Sequence, residues 1–400
     1  MPHPRQPLLD ATVIGIDLHS QAVTACLITA NAGIRSKPRF IEATTDTIVA
    51  LLKKRAKPGD IPVIEATTNA FHIAGKLEQA GFKPVVVCAD CVADKARADR
   101  VNDRIDAENL ARAHLNGDTE LVWQPSAKHR DMRQLFFARR DAVKNATQAV
   151  NRTWAFLNGL GHKTTRTQIK KAKTPDALLP NLLPGARLQL AHKIADYQNA
   201  LAHRDACDGL IAQHAAQNPD IQRLLKCLGI SHLTAFALVA FIEDVHRFAT
   251  APKLVRYLGL NPGVHRSGKS AGPANVSRFG RHDLKALLIE GAQSAFRHGA
   301  LPVHKWARRL SGRRACRNLA VVALARRLAV CAWHLLMGHG LADASPGPDA
   351  ATLRKLGKLA TALGKPRLQT LGYASTGAFI QHIAAQLFPN SEMATNKKTE

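Results

Sequence analysis

Short apolar runs that lead into a carboxylate constrain this sequence most. Residues 12–16 form one such run and are followed by Asp17, and residues 61–64 form another and are followed by Glu65. Runs of this length and composition are typical of buried strands. A carboxylate at the end of a buried strand is costly unless it is paired or binds a cation. We therefore interpret Asp17 and Glu65 as candidate site residues.

A second pair of acids begins a predicted helix. Asp103 and Asp106 are three residues apart at the start of the helical stretch 103–115, so both side chains project from one face. Mg²⁺ (or Mn²⁺) takes hard oxygen ligands of this kind, and two such ions about 4 Å apart clamp the attacking and leaving oxygens of a phosphoryl transfer. The four acids therefore predict a metal-dependent nuclease site. The alternative is that they are ordinary surface acids, since the chain has 30 Asp and Glu residues.

The composition predicts a polyanionic partner. The 400 residues include 56 Lys and Arg, the formal net charge is +26, and the pI is near 10.3. A field of this sign favours nucleic acid first and a membrane surface second. The sequence has no run near the ~20 uncharged apolar residues of a spanning helix, no apolar signal segment in its first ten residues, and no regular cysteine spacing. We expect a soluble cytoplasmic protein.

The order of predicted elements indicates an α/β domain followed by helical regions. Three leading strands and then alternating helices and strands predict a mixed sheet over residues 11–120, the order found in ribonuclease-H-like nucleases. Residues 126–217 show apolar positions at heptad spacing, which predicts two long helices. These helices would pack either as an antiparallel hairpin within one chain or as a dimerising coiled coil between chains.

The last two predicted regions are a mainly helical domain over residues 221–340 and an extension over residues 341–400. The extension is predicted to be disordered from residue 390 onwards. Its remainder would either bind nucleic acid or pack back on the core. Within the helical domain, the predicted helices 232–242 and 251–258 flank a turn whose amides are predicted to face phosphate.

A glycine- and serine-rich loop follows the second of these helices. Residues 253–330, which include this loop, carry 16 Lys and Arg against 2 Asp and Glu. Ser267 lies close to Arg266 and Lys269, whose cations would stabilise a pentacovalent phosphate if the hydroxyl were a nucleophile. The glycines let the backbone approach a ligand closely. The alternative is a loop that only binds phosphate.

Taken in order, these blocks resemble one family of mobile-element enzymes. The similarity is to the DEDD transposases of insertion-sequence family one-ten, which are relatives of the Piv and MooV DNA invertases, and it extends over about residues 12–335. The segments that carry it are Gly15–Asp17, Glu65–Thr67, Asn102–Ala107, Gly259–Pro262, Ser267–Gly268 and Ser277–Gly280. The family's Lys–Thr–Asp before the third acid is Val101–Asn102–Asp103 here, which removes no catalytic group.

The resemblance implies a fold and a mechanism. It implies a RuvC-like domain, a coiled-coil segment and a carboxy-terminal transposase domain. It also implies that the four acids bind the metal and that Ser267 forms a covalent phosphoserine link to DNA. Members act as oligomers, here a dimer or tetramer, in which domains of different subunits complete one site. A structured guide RNA pairs with both donor and target DNA.

We therefore predict a DNA recombinase that excises and inserts its own element. Two alternatives remain open at this point. One is a Holliday-junction resolvase that uses water instead of Ser267, and the other is a non-catalytic basic protein that binds RNA or DNA. The residues predicted to contact nucleic acid are Arg266, Lys269, Arg278, Arg281, Arg313, Arg314 and Arg317.

Overall fold

The computed structural model divides the chain into two compact units, Met1–Pro125 and Ser126–Glu400. The first unit ends five residues beyond the predicted α/β domain, and the three regions predicted after residue 126 share the second unit. The structure describes residues 7–8, 10–57, 59–67, 69–88, 102–262, 266–267, 270–271, 280–299, 301–314, 316–340 and 350–389.

The first unit is a mixed sheet with helices on both faces, as the order of elements predicted. In the sheet, β1 is antiparallel to β2 and parallel to β5, β5 is parallel to β6, and β3 and β4 both pair with β2. The strands are β1 (Ala11–Leu18), β2 (Ala22–Asn31), β3 (Ile34–Arg35), β4 (Arg39–Thr44), β5 (Ile61–Glu65) and β6 (Val85–Val87). The helices are α1 (Ile48–Arg55), α2 (Ala70–Gln79) and α3 (Asp103–Leu115).

The alternation of side chains along β1 decides which helix covers which face. Ile14 and Ile16 are fully buried in the cluster that includes residues of α1 and α2. Val13 is fully buried in the opposite cluster, with Ala107 and Leu110 of α3. Odd-numbered residues of β1 therefore face α3, and Gly15 and Asp17 belong to that series.

Helix α3 lies unusually close to β1. A Cβ atom added to Gly15 would come within 2.0 Å of the Ala107 carbonyl oxygen and 2.7 Å of the Ala111 nitrogen. Both helix residues are alanines and fully buried. The absence of a side chain at Gly15 therefore allows the helix backbone to rest on the strand, one turn from the carboxylates at the start of α3.

The second unit begins with two long helices that pack along each other. They are α4 (Ala127–Gly159) and α6 (Pro184–Gln217), and Val150 and Leu157 of the first are buried in one cluster with Leu190 and Ile194 of the second. This is the intrachain hairpin among the two predicted arrangements. A coiled coil between chains stays a prediction. The connector holds a short helix, α5 (Arg166–Lys171), which the sequence analysis did not predict and which a Thr165–Gln168 capping box begins.

The remaining helices share one core cluster with α8 (His232–Ile242), whose nine residues from Thr234 to Ile242 are all buried. Its all-round apolar surface explains why it forms the centre of the second unit. The other elements are α7 (Pro219–Leu224), α8 (His232–Ile242), α9 (Ala251–Tyr257), β7 (Arg266–Ser267), β8 (Ser270–Ala271), α10 (His282–His298), α11 (Pro302–Arg314), α12 (Arg317–Leu336), α13 (Ala350–Thr370, broken at Gly364) and α14 (Thr376–Leu387).

The extension beyond residue 341 packs back on the core. Leu356 and Phe379 are fully buried in the same cluster as Phe236 of α8. The Lys355 ammonium donates to the carbonyl oxygens of Leu225 at 2.8 Å and Cys227 at 2.7 Å. The extension was predicted either to bind nucleic acid or to pack back on the core, and its described part packs on the core. The disorder predicted from residue 390 concerns residues outside the described part of the chain.

Helix α12 is, within the described ranges, the one helix long and apolar enough to cross a membrane. Its residues Leu324, Ala325 and Leu328 are buried in the core of the second unit. The Arg326 guanidinium donates to the Leu260 carbonyl oxygen at 2.8 Å. Helix α12 is therefore packed as a core helix.

The close approach of α3 to β1 predicts a large effect of one methyl group. We expect Gly15→Ala to lower the free energy of unfolding of the first unit by about 1–3 kcal/mol, because the added carbon collides with backbone atoms that cannot rotate away. Urea denaturation of the full chain measures this. The control is Gly357→Ala in α13, where an added Cβ meets nothing within 4 Å. The control is expected to unfold at the same or a slightly higher urea concentration. Wild-type stability of Gly15→Ala would contradict the close packing.

Candidate functional site

Asp17 and Glu65 lie side by side at the carboxyl ends of two parallel strands. The register pairs Ile16 of β1 with Ile64 of β5, so the next residues of the two strands are the two acids. Val13 and Val63, which share their alternation, are both buried against α3. Both carboxylates therefore extend from the face of the sheet that α3 covers.

Asp103 and Asp106 lie in the first turn of α3, as the sequence predicted. The Asn102 side chain caps the helix by accepting a hydrogen bond from the Arg104 nitrogen at 3.0 Å. Arg104 also forms an ion pair with Glu42 of β4 at 2.6 Å. Carboxylates in a first turn are favoured by the helix dipole. The same stripe of the helix continues with the buried Ala107, so this face approaches β1.

His19 joins these acids and was missed by the sequence analysis. Its Nε2 atom lies 3.2 Å from Asp17 Oδ2 and 3.3 Å from Asp103 Oδ1. The ligand atoms of the three residues all lie within 4.8 Å of one another. The available signal was its position in Asp17–Leu18–His19, two residues after the first acid, in the turn before β2. A single histidine in a turn carries no periodic pattern that would have singled it out.

The carboxylates affect each other electrostatically. Burial raises the pKa of Asp17, and the charges of Asp103 and Asp106 raise it further against the opposing effect of His19. Burial also raises the pKa of Glu65, to which the charges of Asp17 and Asp106 contribute. Like charges raise each other's pKa only at short range. The four predicted acids therefore share one electrostatic environment, in which Asp17, His19 and Asp103 form the tightest group.

This donor set fits a hard divalent cation. Carboxylate oxygens dominate it, and they come from two strand ends and one helix start that are held by buried packing. Burial and the mutual repulsion of the acids raise the pKa values of Asp17 and Glu65, and a cation placed among the carboxylates would offset both effects. The residues that could hold it are Asp17, His19, Glu65, Asp103 and Asp106.

Ser267 lies in the second unit, in a short hairpin. Strand β7 pairs with β8 so that Ser267 is opposite Ser270 and Arg266 is opposite Ala271. Lys269 and Arg278 lie outside the described residues, as does most of the loop predicted to bind phosphate. Of this segment the structure thus describes the backbone pairing of β7 with β8.

Arg281 has partners within the second unit. Its guanidinium is 4.1 Å from the centre of the Phe241 ring and 2.8 Å from Asp283 Oδ2. Arg313 is exposed near the end of α11. Arg317 is exposed at the start of α12, with its guanidinium 5.7 Å from the Phe296 ring centre. Arg314 lies in α11 and its side chain is outside the described part of the structure.

Two further arginines converge on the carboxyl end of α8. Arg133 donates to the Ala240 carbonyl oxygen at 2.9 Å, and Arg247 donates to the Phe241 carbonyl oxygen at 2.9 Å. The Tyr257 hydroxyl donates to the same Phe241 oxygen at 3.2 Å. These cations satisfy carbonyls that a helix end leaves without partners. Arg133, Arg247 and Tyr257 thus stabilise the start of the turn that follows α8. Contacts of this turn with phosphate, which the sequence predicted, stay a prediction.

Two family models match the chain, and together they cover more than half of it. The first, a DEDD transposase model of the IS110 type, matches residues 14–161, which include all four acids. The second is described as the transposase IS116/IS110/IS902 family and matches residues 221–308, which include Ser267.

Curated relatives extend the similarity over most of the chain. The transposase for insertion sequence element IS1111A from Coxiella burnetii is 27% identical and covers 83% of this chain and 91% of its own length. A probable family 20 transposase from Pseudomonas aeruginosa is 28% identical, over 70% of this chain and 85% of the relative. The transposase for element IS1328 from Yersinia enterocolitica is 23% identical, over 81% and 96%. With the acids on one face of an α/β sheet and both family models matched in order, this chain belongs to the IS110 family of DEDD transposases.

Proposed function

We propose that this transposase excises and inserts its own element through a covalent phosphoserine intermediate, guided by a structured RNA. The observation that carries the metal-dependent half is the shared site of Asp17, Glu65, Asp103 and Asp106, in which burial and then the charges of the neighbouring acids raise the pKa values of the two strand acids. Without a cation, these clustered and partly buried carboxylates lower the stability of the protein. Carboxylates with pKa values perturbed in this way are typical of functional sites. The serine half rests on the resemblance of the loop around Ser267.

In this mechanism the acids hold Mg²⁺ or Mn²⁺ and orient the scissile phosphate. When bound, the cation supplies charge to the phosphoryl oxygens as negative charge develops. Asp17 and Glu65 provide rigid oxygens because their strands are buried in the sheet. Asp103 and Asp106 come from a helix that packs on the same strand. The scissile phosphate would therefore meet a site whose geometry is set before DNA arrives.

Ser267 is the proposed nucleophile. Its oxygen attacks the phosphorus and loses its proton, a new serine–phosphate ester bond forms, and the DNA oxygen leaves as a hydroxyl after taking up a proton. The number of phosphate ester bonds is unchanged, so a DNA hydroxyl can later attack the phosphoserine and rejoin the strand without external energy. Strand exchange between donor and target would follow from this reversibility.

The proposed partners are donor DNA, target DNA, a structured guide RNA and further copies of the chain in a dimer or tetramer. The formal charge of +26 supports polyanionic partners. The excess of positive charge lies in the second unit, since residues 1–125 carry 15 Lys and Arg against 15 Asp and Glu. The candidates for direct contact are Arg266, Lys269, Arg278, Arg281, Arg313, Arg314 and Arg317, and Arg281 would have to leave Asp283 to contact a phosphate. We place the reaction in the cytoplasm.

A resolvase-like hydrolysis is the second candidate function. The acids by themselves suffice to bind metal and activate water, since none of that site requires Ser267. The two candidates differ in one product: the transposase holds the DNA phosphate as an ester of Ser267, and the hydrolase leaves it as a phosphate monoester on the DNA end.

Removing one carboxylate charge tests the acids. We expect Asp17→Asn, Glu65→Gln, Asp103→Asn and Asp106→Asn each to reduce strand cleavage at least about 100-fold, because ligand loss misplaces the cation. Binding of DNA or RNA probes, measured by mobility shift, should persist.

Thermal unfolding in EDTA provides the folding control. Because Asp17 and Glu65 have raised pKa values, their charged forms oppose folding at neutral pH, so neutralised variants should melt at or above the wild-type temperature. Wild-type cleavage in two of the four variants would contradict the assignment.

The covalent intermediate tests Ser267. We expect wild-type protein, incubated with end-labelled DNA, the flank-encoded RNA and Mg²⁺, to give a protein-linked DNA band on denaturing electrophoresis. Ser267→Ala should abolish the band, because no hydroxyl remains to attack phosphorus. Ser270→Ala is the matched control, since Ser270 is opposite Ser267 in the same hairpin, and it should keep the band. Free nicked DNA from Ser267→Ala at the wild-type rate would favour the resolvase.

Salt dependence tests the basic surface. Replacing Arg313, Arg314 and Arg317 together by Ala should weaken binding across sequences and flatten the slope of log affinity against log salt by about 0.9 for each phosphate that the variant no longer neutralises. The measurement is fluorescence anisotropy with labelled duplex DNA over a range of salt concentrations. The charge-matched control replaces the exposed residues Lys53, Lys54 and Arg55 at the end of α1. Equal slopes of log affinity against log salt for the two triple variants would show that these three arginines do not contact the nucleic acid.

A further inference from the structure

We infer that His19 is a nitrogen ligand of the metal that the acids bind, and that it shifts the site's preference from Mg²⁺ toward Mn²⁺. This rests on the metal-dependent half of the proposed function. The inference is carried by the position of the imidazole between two carboxylates from different elements, Asp17 at the end of β1 and Asp103 at the start of α3.

The distances suit a shared ion. Around a six-coordinate ion with ligand bonds near 2.1 Å, adjacent ligand atoms lie ~3.0 Å apart. The His19 Nε2 atom lies 3.2 Å from Asp17 Oδ2 and 3.3 Å from Asp103 Oδ1. The nitrogen thus has the spacing of a coordination neighbour to both oxygens, and all three ligand atoms lie within 4.8 Å of one another.

A direct ion pair explains this arrangement less well. One N–H group points at one acceptor, and the contact with Asp17 alone has the geometry of a hydrogen bond. The contact with Asp103 is made by the same nitrogen, so it gains electrostatic attraction without a hydrogen bond. His19 and Asp103 are each 53% exposed, and ion pairs at that exposure contribute little. A cation at the centre would use all three groups at once.

The backbone favours a fixed role for His19. His19 begins the tight turn between β1 and β2, and its backbone nitrogen donates to the Ala22 carbonyl oxygen at 2.9 Å. Its backbone therefore moves with the strand that carries Asp17. On the opposite side, Arg104 ties the start of α3 to Glu42 of β4. Both neighbours of the imidazole are thus attached to one sheet.

A nitrogen ligand has a chemical consequence. Mg²⁺ takes oxygen ligands almost exclusively, whereas later divalent ions accept imidazole more readily. Replacing an oxygen or water ligand by His19 would raise affinity for Mn²⁺ more than for Mg²⁺. The four acids alone give no such preference.

Pulsed electron paramagnetic resonance of the full chain loaded with Mn²⁺ tests this directly, without any measurement of cleavage. A coordinated imidazole gives ¹⁴N modulation of the Mn²⁺ echo. We expect this modulation in the wild type, and we expect it to change to the ¹⁵N pattern when only histidine is labelled. It should disappear in His19→Gln and persist in His203→Gln, which alters an exposed histidine of α6. The ratio of Mn²⁺ to Mg²⁺ affinity should fall by on the order of tenfold in His19→Gln.

Three controls separate the outcomes. Asp17→Asn should lose the bound Mn²⁺ signal, which identifies the site. Mn²⁺ that binds in an Asp17-dependent way but shows no histidine ¹⁴N modulation would overturn the role of His19 and leave the acid site intact. Absence of Asp17-dependent Mn²⁺ binding would overturn both the inference and the metal site on which it rests. Isotope labelling needs no substitution, so the result does not depend on how a variant folds.

Discussion

The contact between Gly15 and helix α3 is the interaction on which the candidate site depends. Because Gly15 has no side chain, the backbone of α3 approaches β1 until a Cβ would lie 2.0 Å from the Ala107 carbonyl oxygen. Asp17 is the next residue of β1 on that face, and Asp103 lies about one helical turn before Ala107. The separation of the acids is therefore set by van der Waals contact between buried backbone atoms. The exposed Arg104–Glu42 pair adds orientation and little free energy.

The clustered acids lower the free energy of unfolding, and packing elsewhere in the first unit compensates for this. A carboxyl group whose pKa is raised on folding stabilises the protein below its unfolded pKa, and this contribution is lost as the pH rises through the folded value. Asp17 and Glu65 both have raised pKa values, mainly through burial. At neutral pH their charges therefore oppose folding, and the packing of α3, β1 and β5 offsets that cost. A bound cation would reverse the sign of the contribution.

In the second unit, the basic residues divide into two groups by what they contact. Arg133 and Arg247 donate to carbonyl oxygens at the end of α8, and Arg281 stacks on Phe241 and pairs with Asp283. These cations stabilise the buried helix, since a helix end leaves carbonyls that need donors. Arg313 and Arg317 are exposed on α11 and α12. A count of positive charge thus overestimates the surface available to nucleic acid.

The sequence by itself determined most of the strands of the first unit and the two long helices, and it singled out the four acids as candidates, because alternation and heptad spacing report which face of a strand or helix is apolar. The predicted helix 103–115 has the observed bounds, and the strands that carry Asp17 and Glu65 end one or two residues beyond the apolar runs. Only the tertiary structure decided which faces meet. It brought His19 to Asp103 across 84 positions of sequence, stacked Arg281 on Phe241, and packed the extension into the core cluster that contains α8. These contacts depend on strand register and helix docking, and no local pattern encodes them.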